Sequence, residues 1–409
     1  MQEWFPYIKP TRRRHTSKFR IFEVGYIASD MKTKIILGKC TDHISNYVFQ
    51  EVDVNIDLLP NGCLRFFSHK GALRWWNTSS FALSSMFLEL GNPKMDSVVN
   101  ACLSQAKNTG ISTFIDLFCG IGGFHIAASK LGLKCLYASD IDEAARKAYS
   151  HNFGLMPDGD ITKVNAKDIP DHDLLCAGFP CQPFSIIGNR KGFSDPRGTM
   201  FFEIVRILKE KKPKAFMLEN VRRLATAENG EIIKGMKKTL EDLGYFVDYK
   251  ILNALNFGLP QKRERVLIVG TRKDFGKFPW PEKKIEMKPL CDILEKKPEK
   301  KHFVSERIKN SRQLIHKSKE TPSIWHENKS GNVSSYPYSC ALRAGASYNY
   351  LLVDGERRLT PREMLRLQGF PDNFEIVCGD SQTRKQAGNS VPIPMIYEVM
   401  RQLILYVTK

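Results

Sequence analysis

Hydrophobic positions repeat with different periods in different parts of the chain, and the changes divide it. Over residues 1–110, alternating or β-rich runs at 22–27, 34–38, 47–52 and 64–67 are separated by turn residues, which predicts a small β-rich region. A connecting helix over 95–107 and a boundary at Asn108-Thr109-Gly110 are expected to close it. From residue 111, apolar runs of strand length alternate with stretches of helical spacing. Strands are predicted at 111–118, 134–138, 174–178, 214–218 and 266–269, and a helix starting near 199 carries Phe201, Ile204, Val205 and Leu208 on its core face. Such alternation predicts an α/β fold whose sheet binds ligands at the carboxyl ends of its strands. After Pro279-Trp280-Pro281 the chain becomes lysine-rich and irregular to about residue 335.

Two predicted turns lie where that sheet would present a ligand. In the first, a strand feeds Cys119-Gly120-Ile121-Gly122-Gly123-Phe124 and then a helix over 125–131, so that a ligand can approach the backbone at a helix N-terminus. The turn departs from the dinucleotide fingerprint. Asp116 and Phe118, just before Gly120, Gly122 and Gly123, favour an adenosine-plus-amino-acid ligand over a pyrophosphate. The next strand ends in Ser139-Asp140-Ile141-Asp142, where Asp140 suits ribose hydroxyls and Asp142 suits a helix N-cap. Asp160-Ile161 repeats the pattern of acid plus apolar residue and suits an adenine edge and face. The second turn is Gly178-Phe179-Pro180-Cys181-Gln182-Pro183-Phe184-Ser185. Pro180 and Pro183 disfavour helical geometry before them, which holds Cys181 on a stiff turn that can aim a nucleophile. Taken alone, a free cysteine is more often a core residue than a reactive one. Cys176, inside the preceding strand, is expected to be such a core thiol.

Composition narrows the partners. The chain has 409 residues, 42% of them hydrophobic, enough to bury a large core. Its 62 Lys and Arg against 44 Asp and Glu give a net charge of +18, which suits a polyanion such as nucleic acid, although a merely basic soluble protein would share it. The cluster Arg12-Arg13-Arg14 and the pair Trp75-Trp76 beside Arg74 fit either nucleic-acid contacts or, more commonly, a solvated charge run and core aromatics. Ten scattered cysteines without a C-x-x-C pair suggest neither a zinc site nor a disulfide framework, and a reduced, cytoplasmic protein without membrane spans is expected.

Six blocks in order give a sharper reading. Asp116 to Gly123, Gly178 to Ser185, Glu219-Asn220-Val221, Gln261-Lys262-Arg263-Glu264-Arg265-Val266, Arg358 to Glu363 with Leu367 to Asp372, and Gln386-Ala387-Gly388-Asn389-Ser390-Val391-Pro392 closely resemble the cytosine-C5 DNA methyltransferases. The resemblance covers about 111–280 and 341 to the C-terminus, and says nothing of the first region. It implies a Rossmann-like methyltransferase sheet using S-adenosyl-L-methionine, a catalytic domain over 111–280 and 342–409, and a small target recognition region over 281–341. Apart from the resemblance, the β-rich region over 1–110 is expected, from its basic start, to be an accessory domain that adds DNA contacts. Cys181 would attack cytosine C6, and Glu219, desolvated by its apolar strand, would bind the base near N3. Arg263 and Arg265 would hold the base O2 and the Glu219 carboxylate. Asp116, Phe118, Gly120, Gly122, Gly123, Asp140, Ile141, Asp160, Ile161, Pro180, Asn389 and Ser390 would line the cofactor pocket.

Double-stranded DNA is the expected substrate, so the target base must leave the stack. Gln182, Ser185, Ile187, Arg190, Lys191, Arg197 and Arg343 are the expected DNA contacts. The segment 186–198 would act as a lid, with Ile187 as a wedge. Arg312, Gln313, Trp325, His326 and Asn328 are weaker base-reading candidates. A monomer in a restriction-modification setting is expected, with any cognate endonuclease not stably bound. Transfer to tRNA, and a catalytically silent DNA-binding regulator, are the alternatives.

Overall fold

The computed structural model describes residues 110–407, apart from 181–198, 275 and 283, together with the backbone of six strands before residue 76. The chain divides into two compact units, Met1–Thr109 and Gly110–Lys409. In the first, β1 (Phe5–Pro6), β2 (Phe19–Val24), β3 (Lys32–Cys40), β4 (Tyr47–Leu58), β5 (Leu64–Ser68) and β6 (Gly71–Trp75) form one sheet in chain order, antiparallel throughout. The expected helix over 95–107 lies outside the described residues.

The second unit is built on β7 (Thr113–Leu117), β8 (Lys134–Ser139), β9 (Leu174–Gly178), β10 (Ala215–Val221), β11 (Phe246–Asn253), the short β12 (Gln261–Lys262) and β13 (Glu264–Thr271). Six of these form a mixed sheet in the order β11-β13-β10-β9-β7-β8. Its four strands from β8 to β10 are parallel, whereas β13 runs antiparallel to both neighbours. Leu174 to Ala177 and Ala215 to Leu218 are unbroken apolar runs because helices cover both faces of the sheet.

Those helices are α1 (Gly123–Lys130), α2 (Glu143–Phe153), α3 (Thr199–Lys211), α4 (Arg222–Thr226) and α5 (Glu231–Glu241). Phe114, Cys176 and Met217 point into the layer that contains α1, and Ile115, Leu175, Phe216 and Leu218 into the layer that contains α3 and α5. Phe201, Ile204 and Leu208 are fully buried there, as their spacing predicts. Cys176 is completely buried, in keeping with a core thiol.

Beyond the large sheet, α6 (Glu306–Ile315) accompanies a smaller one made of β14 (Ile324–Glu327), β15 (Val333–Tyr336), β17 (Leu351–Val353) and β18 (Arg357–Arg358), in the order β15-β14-β17-β18. Between them, β16 (Ser339–Cys340) pairs with β12. Two of these strands come from beyond residue 341, so the small sheet crosses the boundary expected there. Three base-reading candidates have structural duties instead. Trp325 is buried and donates to Ser323 Oγ at 3.1 Å, Arg312 is buried in an ion pair with Glu327, and Asn328 caps the β14–β15 turn by accepting from Ser330 and Asn332.

The chain then returns to the large sheet through α7 (Pro361–Gln368), α8 (Asp380–Asn389) and α9 (Ile393–Val407), and α9 packs on α1. The start of α7 carries a capping box, Thr360 with Glu363, and the same buried Glu363 carboxylate holds the Arg357 guanidinium through both oxygens at 2.8 and 2.9 Å. No helix among the described residues is long and apolar enough to cross a membrane.

Candidate active site

The parallel pairing of β9 and β10 puts Glu219 opposite Gly178 at the carboxyl ends of both strands. A Cβ at Gly178 would stand only 3.7 Å from Glu219 Oε2. Beside it, Asn220 is buried and uses both ends of its amide. Nδ2 donates to the Phe179 carbonyl at 3.0 Å, and Oδ1 accepts from the Val221 N–H at 2.8 Å. Phe179 is itself buried and its ring lies 6.3 Å from that of Phe201. The segment leading to Cys181 is thus pinned two residues before the thiol, by a side chain whose role the sequence did not reveal. Its only signal was adjacency to Glu219. Cys181, Gln182, Ser185, Ile187, Arg190, Lys191 and Arg197 lie outside the described residues, as does the expected lid.

Antiparallel β13 delivers the arginines from the other side. Arg265 Nε lies 2.8 Å from Glu219 Oε1, with both side chains almost entirely buried. Burial raises the Glu219 pKa, against the pull of Arg265 and then Arg263 toward the ionised form. A carboxyl in that balance can keep a proton or share one.

Arg263 departs from the expected role. Its guanidinium is 1% exposed and donates to three backbone carbonyls, Leu342 at 2.9 Å, Gly388 at 3.0 Å and Ser390 at 2.6 Å. It joins its own segment to two others that are distant in sequence, and acts on Glu219 through its charge and not through a hydrogen bond. The reason is position: Arg265 faces the carboxylate, whereas Arg263 enters the gap where the C-terminal segments return. Burial lowers its pKa to about 9. Gln261 does similar work, donating to the Leu367 carbonyl at 2.8 Å and accepting from the Leu342 N–H at 3.1 Å.

At the other turn, Phe118 and Gly120 both have φ of +54°. That conformation costs a phenylalanine roughly 1 kcal/mol, strain of the kind that gathers at ligand sites. The space where a Gly120 Cβ would stand is open, so the backbone there can be approached. Gly122 and Gly123 differ: a Cβ at Gly122 would strike the Phe153 ring at 2.1 Å, and one at Gly123 would strike Val391 at 2.6 Å with Ser390 Oγ at 3.2 Å. These two glycines serve packing, and the second records how closely the C-terminal segment returns.

Asp140 accepts from the Gly120 and Asp142 N–H groups, both at 2.8 Å, and so shapes the turn, while Asp142 caps α2 through Ala144 and Ala145 as expected. Ile141 beside it is 77% exposed. Asp160 accepts from Thr162 N and Oγ1 as the cap of a short 3-10 turn. Ile161 is 3% exposed and belongs to the apolar layer with α3, so its side chain is core rather than an open face for adenine. Asp116 is fully buried, with neither oxygen hydrogen-bonded, and burial followed by the Asp140 charge raises its pKa. Pro180 and Asn389 are exposed and Ser390 is buried.

Comparison with known proteins decides what this arrangement belongs to. Residues 112–405 match the C-5 cytosine-specific DNA methylase family. The chain belongs to this family. It is a DNA cytosine-C5 methyltransferase with S-adenosylmethionine as methyl donor. The match favours the DNA reading over tRNA or a silent regulator. The methylase is 55% identical over 285 residues to Type II methyltransferase M.NgoBI of Neisseria gonorrhoeae, across 69% of this chain and 90% of that protein. It is 54% identical to Type II methyltransferase M.HaeII of Haemophilus aegyptius, across 71% and 92%. Among solved structures, S. pombe Dnmt2 methyltransferase shares the fold at a TM-score of 0.56 and 24% identity, over 72% of this chain and 98% of that one. Residues before 112 lie outside the family match.

Proposed function

We propose that Cys181 is the nucleophile and Glu219 the acid of this methylase, with Arg265 holding the Glu219 carboxylate in place. The observation that carries the reading is the buried Glu219–Arg265 pair at the end of β10, facing Gly178 three residues before Cys181. Cytosine C5 is a poor nucleophile. Addition of the Cys181 thiolate to C6 makes C5 an enamine carbon, and a proton held by Glu219 near N3 stabilises the charge displaced there. S-adenosylmethionine supplies an electrophilic methyl group. Once C5 has taken the methyl, loss of the C5 proton drives the electron pair back, expels the Cys181 thiolate and leaves 5-methylcytosine.

The residues present fit the cofactor. Gly120 leaves its backbone open, Ile141 offers an exposed apolar side chain next to Asp140, and Ser390 comes from the far end of the chain to Gly123. Phe118, Asp140, Ile141, Asp160, Pro180, Asn389 and Ser390 would hold it, with Asp116, Gly122, Gly123 and Ile161 shaping the wall. For DNA, Gln182, Ser185, Ile187, Arg190, Lys191, Arg197 and Arg343 remain the proposed contacts, and the small sheet with α6 the target recognition part. The first unit would add DNA affinity. The likeness to Type II methyltransferases supports a restriction-modification setting; in our reading the protein is a cytoplasmic monomer, with any endonuclease acting apart from it.

A duplex carrying 5-fluorocytosine tests the chemistry, since fluorine cannot leave C5 as a proton does. With S-adenosylmethionine present, the protein is expected to form a denaturation-resistant adduct. Cys181→Ser should abolish that adduct, and Glu219→Gln should slow its formation by roughly a hundred- to ten-thousand-fold. An adduct that survives Cys181→Ser would exclude the thiol.

A further inference from the structure

After β16 the chain makes a loop from Leu342 to Tyr350 that gathers arginines, while the Glu327 carboxylate beside it is taken up by Arg312, which also donates to the Asn349 carbonyl. Arg343 is exposed, and its guanidinium lies over the Tyr350 ring, 4.9 Å from the centroid. The Arg343 N–H donates to the Tyr350 hydroxyl at 3.0 Å, so the start and end of the loop are locked together. Arg384, from α8, lies 4.4 Å over Tyr348 and 5.7 Å from Tyr350, and donates to the Ala346 and Ser347 carbonyls. Arg358, from β18, donates to Asn349 Oδ1 at 2.8 Å. Among the described residues, none of these three arginines has an ion-pair partner, although most other arginines of this unit do.

Three uncompensated guanidiniums around one loop repel one another, so the loop is held by hydrogen bonds and stacking against its own electrostatics. His326, packed edge-on to Tyr350, has its pKa lowered by burial and then by Arg343, against the pull of Glu327. The loop also starts beside the reaction site. Leu342 is held by Gln261 and Arg263, four and two residues before Arg265, the partner of Glu219.

We propose that this loop is a clamp for a DNA backbone phosphate, with Arg343 as the phosphate ligand and Arg384 as the positioning residue that stiffens the loop beneath it. The proposal rests on the methyltransferase reading and adds Arg384, which touches no expected substrate atom. A phosphate, rather than a base edge, is the fitting partner. The Arg343 guanidinium is stacked against Tyr350 and cannot reach freely, and a phosphate asks only for charge and a fork at fixed height. Held by stacking, the arginine would neutralise one phosphate irrespective of sequence.

The test is the salt dependence of binding to a 30-base-pair duplex of mixed sequence, measured by fluorescence anisotropy with the full chain. Loss of one phosphate contact lowers the slope of log affinity against log salt by about 0.9, so that Arg343→Gln should show roughly a threefold weaker dependence on salt between 50 and 200 mM. Arg384→Gln should weaken binding too, and the double variant should be no weaker than Arg343→Gln alone, because both act through one contact. Arg384→Lys, which keeps the charge but not the fork, should behave as Arg384→Gln. Unchanged slopes in Arg343→Gln would overturn the proposal, as would a loss confined to some sequences, which would mark a base reader. Additive losses in the double variant would remove Arg384 from the positioning role. Methyl transfer to genomic DNA by the unaltered protein separates the two ideas: its presence with unchanged slopes sinks the clamp alone, and its absence sinks the methyltransferase reading with it.

Discussion

Two carboxyl groups of the large sheet show how burial and hydrogen bonding decide opposite outcomes. At Glu219 burial outweighs two arginines and the pKa rises. At Asp173 burial also raises it, but Lys214 at 2.8 Å and donors from Ser112 and Thr113 outweigh that effect and bring it down to about 2. The second group is a stability device, fastening the start of β7 to the start of β9. Its folded pKa is depressed, so its contribution is complete above an unfolded carboxyl value near 4 and disappears as pH falls toward 2. Solvent screening of this half-buried group limits the size to about 1 kcal/mol. Asp173→Asn is expected to unfold at lower denaturant concentration at pH 7, and the gap to the unaltered protein should close between about pH 4 and pH 2. A gap that stayed constant across that range would rule out the ionic origin.

At the scale of elements, α8 approaches the loop after Leu342 so closely that only glycine fits at their crossing. A Cβ on Gly388 would stand 2.5 Å from Ala344 N and 2.9 Å from the Arg343 carbonyl carbon, both backbone atoms with little freedom to shift. Helix propensity favours alanine over glycine by about 1 kcal/mol, yet overpacking of this kind costs about 1–3 kcal/mol. Gly388→Ala should therefore be destabilised in a denaturant titration despite sitting in a helix. A stabilised variant would show that the loop yields.

The same comparison explains what the sequence made legible. Strands such as β9 and helices such as α3 were readable because burial imposes a period on neighbours in the chain. Arg263 misled because its three carbonyl partners lie 79 to 127 residues away, and no local pattern encodes them. Ile161 shows a related limit: the acid-apolar pair that suits a ligand also forms a capped turn with its apolar residue turned inward, and the pattern alone does not distinguish the two. Motif order located the site, and tertiary contacts decided which member of each motif faces it.

For the molecule as a whole, the aligned part of this chain is about as long as the relatives themselves, covering 90% and 92% of two of them, and the family match over residues 112–405 falls within the second unit. A variant lacking residues 1–109 is therefore expected to fold and to transfer methyl groups to DNA. If the first unit supplies phosphate contacts, the truncated protein should bind a duplex more weakly and with a shallower salt slope. Identical slopes would limit the first unit to other roles.

The meeting of Gly123 with Ser390 and Val391 has a consequence for synthesis. One wall of the pocket is made within the first fourteen residues of the second unit and the other comes from residues near the C-terminus. A growing polypeptide can complete the sheet through β13 while the ribosome still holds the segment that closes the pocket. Methylating capacity would thus appear only once residues 388–391 are free to fold back, and a truncation between residues 272 and 389 is expected to keep every strand of the large sheet and to lack activity.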